Sequence, residues 1–172
     1  LYLIDQHAAH ERVLFDQLMA QYRASAVPTQ TLMQPVVVAM SAEKALVLTP
    51  QLPVLQKLGF EVDEFGLNAF VVRAVPAIAL DADPRAVLNA LVEDFEENEE
   101  PLGEEVEARI AARVCKRMAV KAGKQLSESE QKNLLLNLEA CTSPRTCPHG
   151  RPTMIHLSAA LLERQFGRLG PR

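Results

Sequence analysis

The stretch LYLIDQHAAHER at residues 1–12 predicts the point where a strand passes into a helix. The apolar run at residues 1–4 has the length of a buried strand. Leu14 and Leu18 then recur at helical spacing, and Asp5 stands at the N-cap position. A strand followed directly by a helix is the first indication of a mixed α/β fold.

The start of this helix also gathers side chains that bind metals. His7 and Glu11 are four residues apart, so they share one helix face a turn away from Asp5. Carboxylate, imidazole and thiolate together suit zinc, whereas carboxylates alone would also suit manganese or magnesium. The alternatives are a helix cap for Asp5 and a solvated ion pair for Glu11 with Arg12.

The turn CPHGRP at residues 147–152 is the second candidate metal motif. Its proline and glycine content excludes a regular helix or central strand, and a rigid turn can aim the Cys147 thiol and the His149 imidazole at one point. Two ligands do not complete a site, so we expect the others to come from the first helix. The two ends of the chain should then be neighbours. A small buried residue is the alternative for Cys147.

Four motifs, in the same order, resemble the nicking members of the MutL DNA mismatch-repair family. DQHAAHER at residues 5–12 is similar to the family signature D-Q-H-A-x-x-E-x-x-x-x-E, and CPHGRP to its second metal motif. Residues 119–123 resemble its alanine-rich helix, and residues 166–168 (FGR) its F-x-R element. The resemblance spans nearly the whole chain. It implies the C-terminal dimerisation and endonuclease domain of a bacterial member, without the ATPase domain.

What the resemblance implies is a metal-dependent endonuclease that nicks DNA and forms a homodimer. The implied metal ligands are Asp5, His7, Glu11, Cys115, Cys147 and His149. Asp5 and Glu11 would also be catalytic. Thiolate ligands favour zinc, and the resemblance implies manganese for cleavage. The alternative is a non-catalytic, zinc-stabilised dimerisation and clamp-binding module.

Two positions depart from the family pattern. Asp16 occupies the slot of the second family glutamate, and Cys115 lies one residue away from the expected position, which Lys116 holds. A shift of one residue rotates a helical side chain by about 100°. Arg151 and Arg168 are expected either to position phosphate or to brace the site through carboxylates.

The segment QTLMQP at residues 30–35 resembles the peptide by which MutL proteins bind the replicative sliding clamp. The expected contacts are Gln30, Leu32, Met33 and Pro35. Met33 replaces the usual leucine or isoleucine with a side chain of similar volume and greater flexibility. The alternative is the entry into a strand at residues 36–39.

Charge limits how the chain can engage DNA. The helix that holds Cys115 carries a basic row: Arg109, Arg113, Arg117, Lys121 and Lys124. This row predicts either a solvated face or a surface that contacts phosphates. The formal charge is −4, with an acidic block at residues 93–100. We therefore expect weak intrinsic DNA binding and delivery by another domain or by other mismatch-repair proteins.

Turn and cap residues predict the remaining elements. Helices should start after Ser41, at Pro84, and after Ser127 and Ser158, and a hairpin should turn at residues 64–68. We expect an α/β (α+β) fold with two lobes. Residues 1–35 and 126–172 would form a dimerisation lobe that carries most of the metal site, and residues 36–125 an inserted outer regulatory lobe.

Composition places the chain among globular proteins. It has 172 residues, 48% of them hydrophobic, without a long apolar span or a signal-peptide pattern. Its three cysteines do not make an even disulfide framework, which fits a reducing cytoplasm. We expect a cytoplasmic protein without membrane contact. Leu1 in place of an initiating methionine predicts a fragment of a longer protein.

Overall fold

A computed structural model describes residues 1–80, 82–97, 106–120 and 124–168, with the side chains of residues 94–97 outside the description. The predicted mixed α/β fold is confirmed. Contacts divide the chain into two compact units: unit 1 is Leu1–Val13 with Val120–Arg172, and unit 2 is Leu14–Ala119. These units are defined by contacts alone, so the dimerisation and regulatory roles of residues 1–35 with 126–172, and of 36–125, stay predictions.

Unit 1 contains a two-stranded sheet and the start of the first helix. Strand β1 (Tyr2–Ile4) pairs antiparallel with β5 (Met154–His156). Helix α1 (Gln6–Arg23) begins directly after β1, as predicted. Helices α6 (Glu128–Glu139) and α7 (Ala159–Gln165) also belong to this unit.

The helix starts in unit 1 follow the predicted capping chemistry. Ser127 and Glu130 form a reciprocal capping box before α6, and the Ser158 hydroxyl accepts a hydrogen bond from the first turn of α7. The buried core is small. Its members are Ala9, Val13 and Leu138, with Leu134, Cys141 and Met154 packed against them.

The prediction that residues 1–4 form a buried strand is wrong. The exposed fraction of the β1 side chains runs from 37% at Ile4 to 63% at Tyr2. The strand exists, but it has a single neighbour in a two-stranded sheet. Apolar composition indicated that these side chains favour burial. It could not indicate that the described chain leaves them exposed.

Unit 2 is built on a three-stranded antiparallel sheet. Strands β2 (Thr29–Ala39), β3 (Glu61–Glu64) and β4 (Ala69–Pro76) lie in the order β2-β4-β3. The predicted β3–β4 hairpin is confirmed, and the strand expected at residues 36–39 begins earlier, at Thr29. As an edge strand, β2 keeps one side without a strand partner in the described sheet.

Helices pack on this sheet to form the core of unit 2. They are α2 (Ala42–Leu48), α3 (Leu52–Lys57), α4 (Pro84–Glu97) and α5 (Val106–Met118). Ser41 caps α2 and Pro84 opens α4, as predicted. The largest fully buried side chains of the unit are Phe70, Leu18, Leu48, Leu55, Leu58, Leu88, Leu91 and Ile110. Among the described residues, no helix has both the length and the apolar composition to cross a membrane.

Two leucines of α2 give a matched test of this packing. Leu48 is fully buried, whereas Leu46 is 77% exposed. We expect Leu48→Ala to lower the free energy of unfolding by about 2–5 kcal/mol, because it leaves a cavity in the core. Leu46→Ala should change it by about 0.5 kcal/mol or less. Urea unfolding measures both, and equal losses would contradict the assigned core.

Candidate metal centre

A buried carboxylate lies at the centre of the candidate site. Glu11, on α1, is 2% exposed. Its Oε1 lies 3.2 Å from Nε2 of His7, and its Oε2 lies 3.3 Å from Nδ1 of His149. Each oxygen therefore faces one imidazole. A buried carboxylate is costly unless it is paired, so these neighbours, or a cation among them, are required.

The structure brings together residues from opposite ends of the chain. The ligand atoms of Glu11, Cys147 and His149 all lie within 4.8 Å of one another. Cys147 is itself 2% exposed, while its neighbour His149 reaches solvent. The helix start and the CPHGRP turn thus meet at one point, which is the arrangement that the two motifs required.

Backbone hydrogen bonds fix the CPHGRP turn. The amide of Cys147 donates to the carbonyl of Arg151 at 2.7 Å, and the amide of Gly150 donates to the carbonyl of Cys147 at 3.0 Å. Gly150 has a φ of 80°, a left-handed value that glycine adopts without strain. Nε of Arg12 donates to the carbonyl of Thr146 at 2.6 Å. Helix α1 therefore holds the turn as well as facing it.

Thr153 supports the site, and the sequence did not identify it. It is fully buried, and its carbonyl accepts a hydrogen bond of 3.0 Å from the amide of Asp5. Its own amide donates to the carbonyl of Arg145 at 3.0 Å, and its hydroxyl donates to the carbonyl of Pro144. Thr153 thus ties the segment before the turn to the β1–α1 junction. These partners are backbone atoms, which leave no side-chain pattern to recognise.

Two histidines of α1 hold the backbone of Val120. Nδ1 of His7 lies 3.0 Å from the Val120 carbonyl oxygen, and the Val120 amide donates to Nδ1 of His10 at 2.9 Å. Burial lowers the pKa of His10, and the nearby charges of His7 and Lys124 lower it further. The sequence did not predict the contact of His10 with Val120.

The other predicted site residues occupy different settings. Oδ1 of Asp5 caps α1 by accepting the amides of His7 and Ala8 at 2.9 and 3.1 Å. Cys115 is fully buried in the core of unit 2. The three-residue group of Glu11, Cys147 and His149 includes neither Asp5, His7 nor Cys115. Metal roles for these three stay predictions.

The remaining charged residues are placed as follows. Arg151 and Arg168 are exposed, and Asp16 is half-buried on α1. In the basic row, Arg109 and Arg113 are half-buried, whereas Arg117 and Lys124 are exposed. Lys121 lies outside the described residues, as do the side chains of most of the acidic block. Only part of the row is therefore available as a solvated surface.

Hydrogen bonds and charge decide the ionisation of Glu11. Burial raises the pKa of its carboxyl. The hydrogen bond and the charge of His149, the hydrogen bond of Cys147 and the charge of His7 all lower this pKa. Together they outweigh the effect of burial. The net pKa lies below the ordinary value, so the site favours a carboxylate anion. An anion beside a thiol and imidazoles is a donor set that suits zinc.

The donor types also separate the two metals expected from the sequence. One thiolate, one imidazole and one carboxylate match zinc chemistry, with a further position left for water or substrate. Manganese is harder and prefers oxygen ligands, of which this three-residue group offers only Glu11. None of the three cysteines is in a disulfide, so Cys147 is a thiol. The described residues therefore fit zinc better than manganese.

The segment at residues 30–35 lies on edge strand β2. The register of β2 against β4 shifts between Thr31 and Val36, so the residues between them bulge out of the ladder. Met33 is fully exposed, while Leu32 packs partly against the core of unit 2. The segment thus lies within a strand whose bulge presents Met33 to solvent, and its role as a clamp-binding peptide stays a prediction.

Comparison with known proteins identifies the family. Residues 1–126 match the MutL C terminal dimerisation domain. The chain belongs to this family. It is 40% identical to DNA mismatch repair protein MutL of Methanoculleus marisnigri over 168 residues, covering 98% of the chain and 28% of that protein. With its counterpart from Desulforudis audaxviator it shares 41% over 170 residues, covering 98% of the chain and 29% of the relative. The chain thus spans under a third of these relatives.

The lowered pKa of Glu11 predicts a pH dependence of stability. Because the folded pKa lies below the unfolded one, the carboxylate stabilises the fold fully above the unfolded pKa of about 4.3. That contribution is lost as the pH falls through the folded pKa. In metal-free buffer, the unfolding free energy of the wild type relative to that of Glu11→Gln should therefore fall as the pH drops below about 4.3. Urea unfolding at a series of pH values measures it, and parallel curves would contradict the pairing.

Proposed function

We propose that this chain is a metal-dependent endonuclease domain that nicks DNA in mismatch repair and forms a homodimer. The observation that carries the proposal is the meeting of Glu11, Cys147 and His149 around a buried carboxylate. Family membership supports the repair context, because the relatives are mismatch repair proteins.

The residues have distinct roles in this proposal. Cys147, His149 and Glu11 would hold zinc. When bound, the metal would supply Lewis-acid stabilisation of the charge on the scissile phosphate. Asp5 adds carboxylate close to the helix start, where manganese would find the oxygen ligands that cleavage requires.

Exposed arginines are the candidates for DNA contact. Arg151 follows the CPHGRP turn directly, and Arg168 lies beyond α7. Guanidinium groups bind phosphate oxygens through paired hydrogen bonds. The formal charge of −4 opposes tight binding to DNA. We therefore propose that other mismatch-repair proteins and the sliding clamp deliver the domain to its substrate.

A nicking assay on supercoiled plasmid tests the endonuclease. With manganese present, Glu11→Gln should reduce the nicking rate by about 100-fold or more, the scale of a positioned acid–base group. The matched control is Glu139→Gln, which removes an exposed carboxylate at the end of α6 and should nick like wild type. Equal nicking by the wild type and Glu11→Gln would rule out the proposed site.

The same preparations test the metal. Zinc measured after purification should be lost in Cys147→Ser and retained in Cys141→Ser. Cys141 is a matched cysteine of unit 1 whose thiol donates to the carbonyl of Asn137.

The nicking assay repeated with the sliding clamp loaded on DNA tests delivery. Met33→Asp should lose the stimulation of nicking by the clamp, whereas Val37→Asp on the same strand should keep it. If the clamp stimulated nicking equally in both variants, residues 30–35 would be rejected as the clamp-binding peptide.

The β1–β5 sheet offers a surface for a second copy of this chain. Leu3 and Ile155 are cross-strand partners, 47% and 48% exposed. Met154 packs against the core of unit 1, and successive side chains of a strand point to opposite faces, so Ile155 points away from that core. An exposed pair of apolar strands in a dimerisation-domain family is best explained by burial against a partner.

Replacing Ile155 tests this dimer surface. Ile155→Asp should weaken dimerisation by roughly 30-fold or more, because a charge would be buried among apolar side chains. Leu67→Asp is the matched control, since Leu67 is 93% exposed in unit 2. Sedimentation equilibrium measures both. A wild-type monomer at high concentration would contradict the homodimer, and an unaffected Ile155→Asp dimer would move its surface elsewhere.

A second candidate function is a non-catalytic, zinc-stabilised dimerisation and clamp-binding module. Two observations favour it: the Asp5 carboxylate is engaged as a helix cap, and Arg109 and Arg113 are half-buried. Under this alternative, zinc and dimerisation persist, but no variant changes the background nicking. The plasmid assay therefore separates the two functions.

A further inference from the structure

Val120 is held on both sides of its Cα by imidazoles. Its amide donates to His10, and its carbonyl oxygen lies 3.0 Å from Nδ1 of His7. A carbonyl can only accept, so this contact is a hydrogen bond only when Nδ1 of His7 carries the proton. Val120 follows helix α5 and belongs to no helix or strand. Its backbone groups find hydrogen-bond partners in these two side chains.

The proton on His7 has two possible positions in the neutral ring. On Nδ1 it is donated to Val120, and on Nε2 it would be donated to Oε1 of Glu11, 3.2 Å away. A carboxylate is the stronger acceptor, so the second position is favoured unless the Val120 oxygen is well placed. Only the first position leaves a lone pair on Nε2. A metal ligand needs that lone pair.

We propose that His10 is a positioning residue: it fixes Val120 so that the Val120 carbonyl keeps the His7 proton on Nδ1 and leaves Nε2 of His7 open to a divalent metal. This inference rests on the proposed metal site and extends it by one residue that is not itself a ligand. His10 acts through the backbone of Val120, because its own Nδ1 accepts the Val120 amide.

A neighbouring contact supports the same segment independently. Nε2 of Gln6 donates to the carbonyl of Lys124 at 2.8 Å. Three side chains of the first turns of α1 thus hold the backbone at residues 120 and 124. The Gln6 contact does not touch Val120 itself, whereas His10 and His7 contact its amide and its carbonyl oxygen. His10 is therefore the residue to change.

Two substitutions separate hydrogen bonding from packing. In His10→Asn, Oδ1 stands the same number of bonds from the backbone as Nδ1 of histidine, and it can accept the Val120 amide. His10→Leu places a methyl group there and cannot accept. We expect the asparagine variant to keep the His7 proton on Nδ1, as in the wild type, and the leucine variant not to keep it there. His10→Ala replaces His10→Leu should the latter fail to fold.

Nitrogen-15 spectra of histidine-labelled, metal-free protein at about pH 8, above the ordinary histidine pKa, report the His7 proton directly. Wild type and His10→Asn should show a protonated Nδ1 on His7. His10→Leu should show the proton moved to Nε2. Zinc affinity, from competition with a chelator, should fall by about 10- to 100-fold in His10→Leu and by about threefold or less in His10→Asn.

The outcomes distinguish this inference from the proposed function. A His7 ring unchanged in His10→Leu, or changed equally in both variants, overturns the role of His10 even if zinc binds normally. A wild type that binds no zinc removes the metal centre, while the nitrogen spectra still decide whether His10 controls the His7 proton. A zinc affinity that falls equally in both variants also contradicts positioning through Val120.

Discussion

The buried carboxylate of Glu11 is the constraint on which the rest of the site depends. An anion at 2% exposure must be compensated, and the compensation comes from His7 four residues before it and from the turn at Cys147 and His149. The chain must therefore return to its own beginning. The pairing of β1 with β5 accomplishes this return, because it places the residues after Thr153 beside those before Asp5.

Around this centre, the supporting contacts involve the backbone more than side-chain pairs. Thr153 joins the β1–α1 junction to the segment before the turn, and Arg12 binds the carbonyl of Thr146. The imidazoles of His7 and His10 bracket Val120 in the same way. Backbone groups near a buried site require hydrogen-bond partners. The side chains that supply these hydrogen bonds also hold the site rigid.

Two exposed features are the surfaces that we propose for contact with other molecules. The β1–β5 sheet has apolar side chains that the described part of the chain leaves exposed, and the bulge in β2 presents Met33 on a sheet edge. Both features are local departures from a self-contained fold: a strand with one neighbour, and a ladder with a shifted register. Neither departure is explained by the packing of the unit that contains it.

Local chemistry in the sequence determined the helix starts at Asp5, Ser127 and Ser158 and the β3–β4 hairpin, because caps and turns depend on neighbouring residues. It also determined that Glu11, Cys147 and His149 were candidate ligands, since donor chemistry is a property of each side chain. Only the tertiary structure decided that β1 is exposed, that Cys115 lies in the core of unit 2, and that the backbone of Asp5 bonds to Thr153 and that of Val120 to His10. Those outcomes depend on contacts between residues far apart in the chain, and above all on backbone atoms, which are the same in every residue and so leave no trace in the sequence.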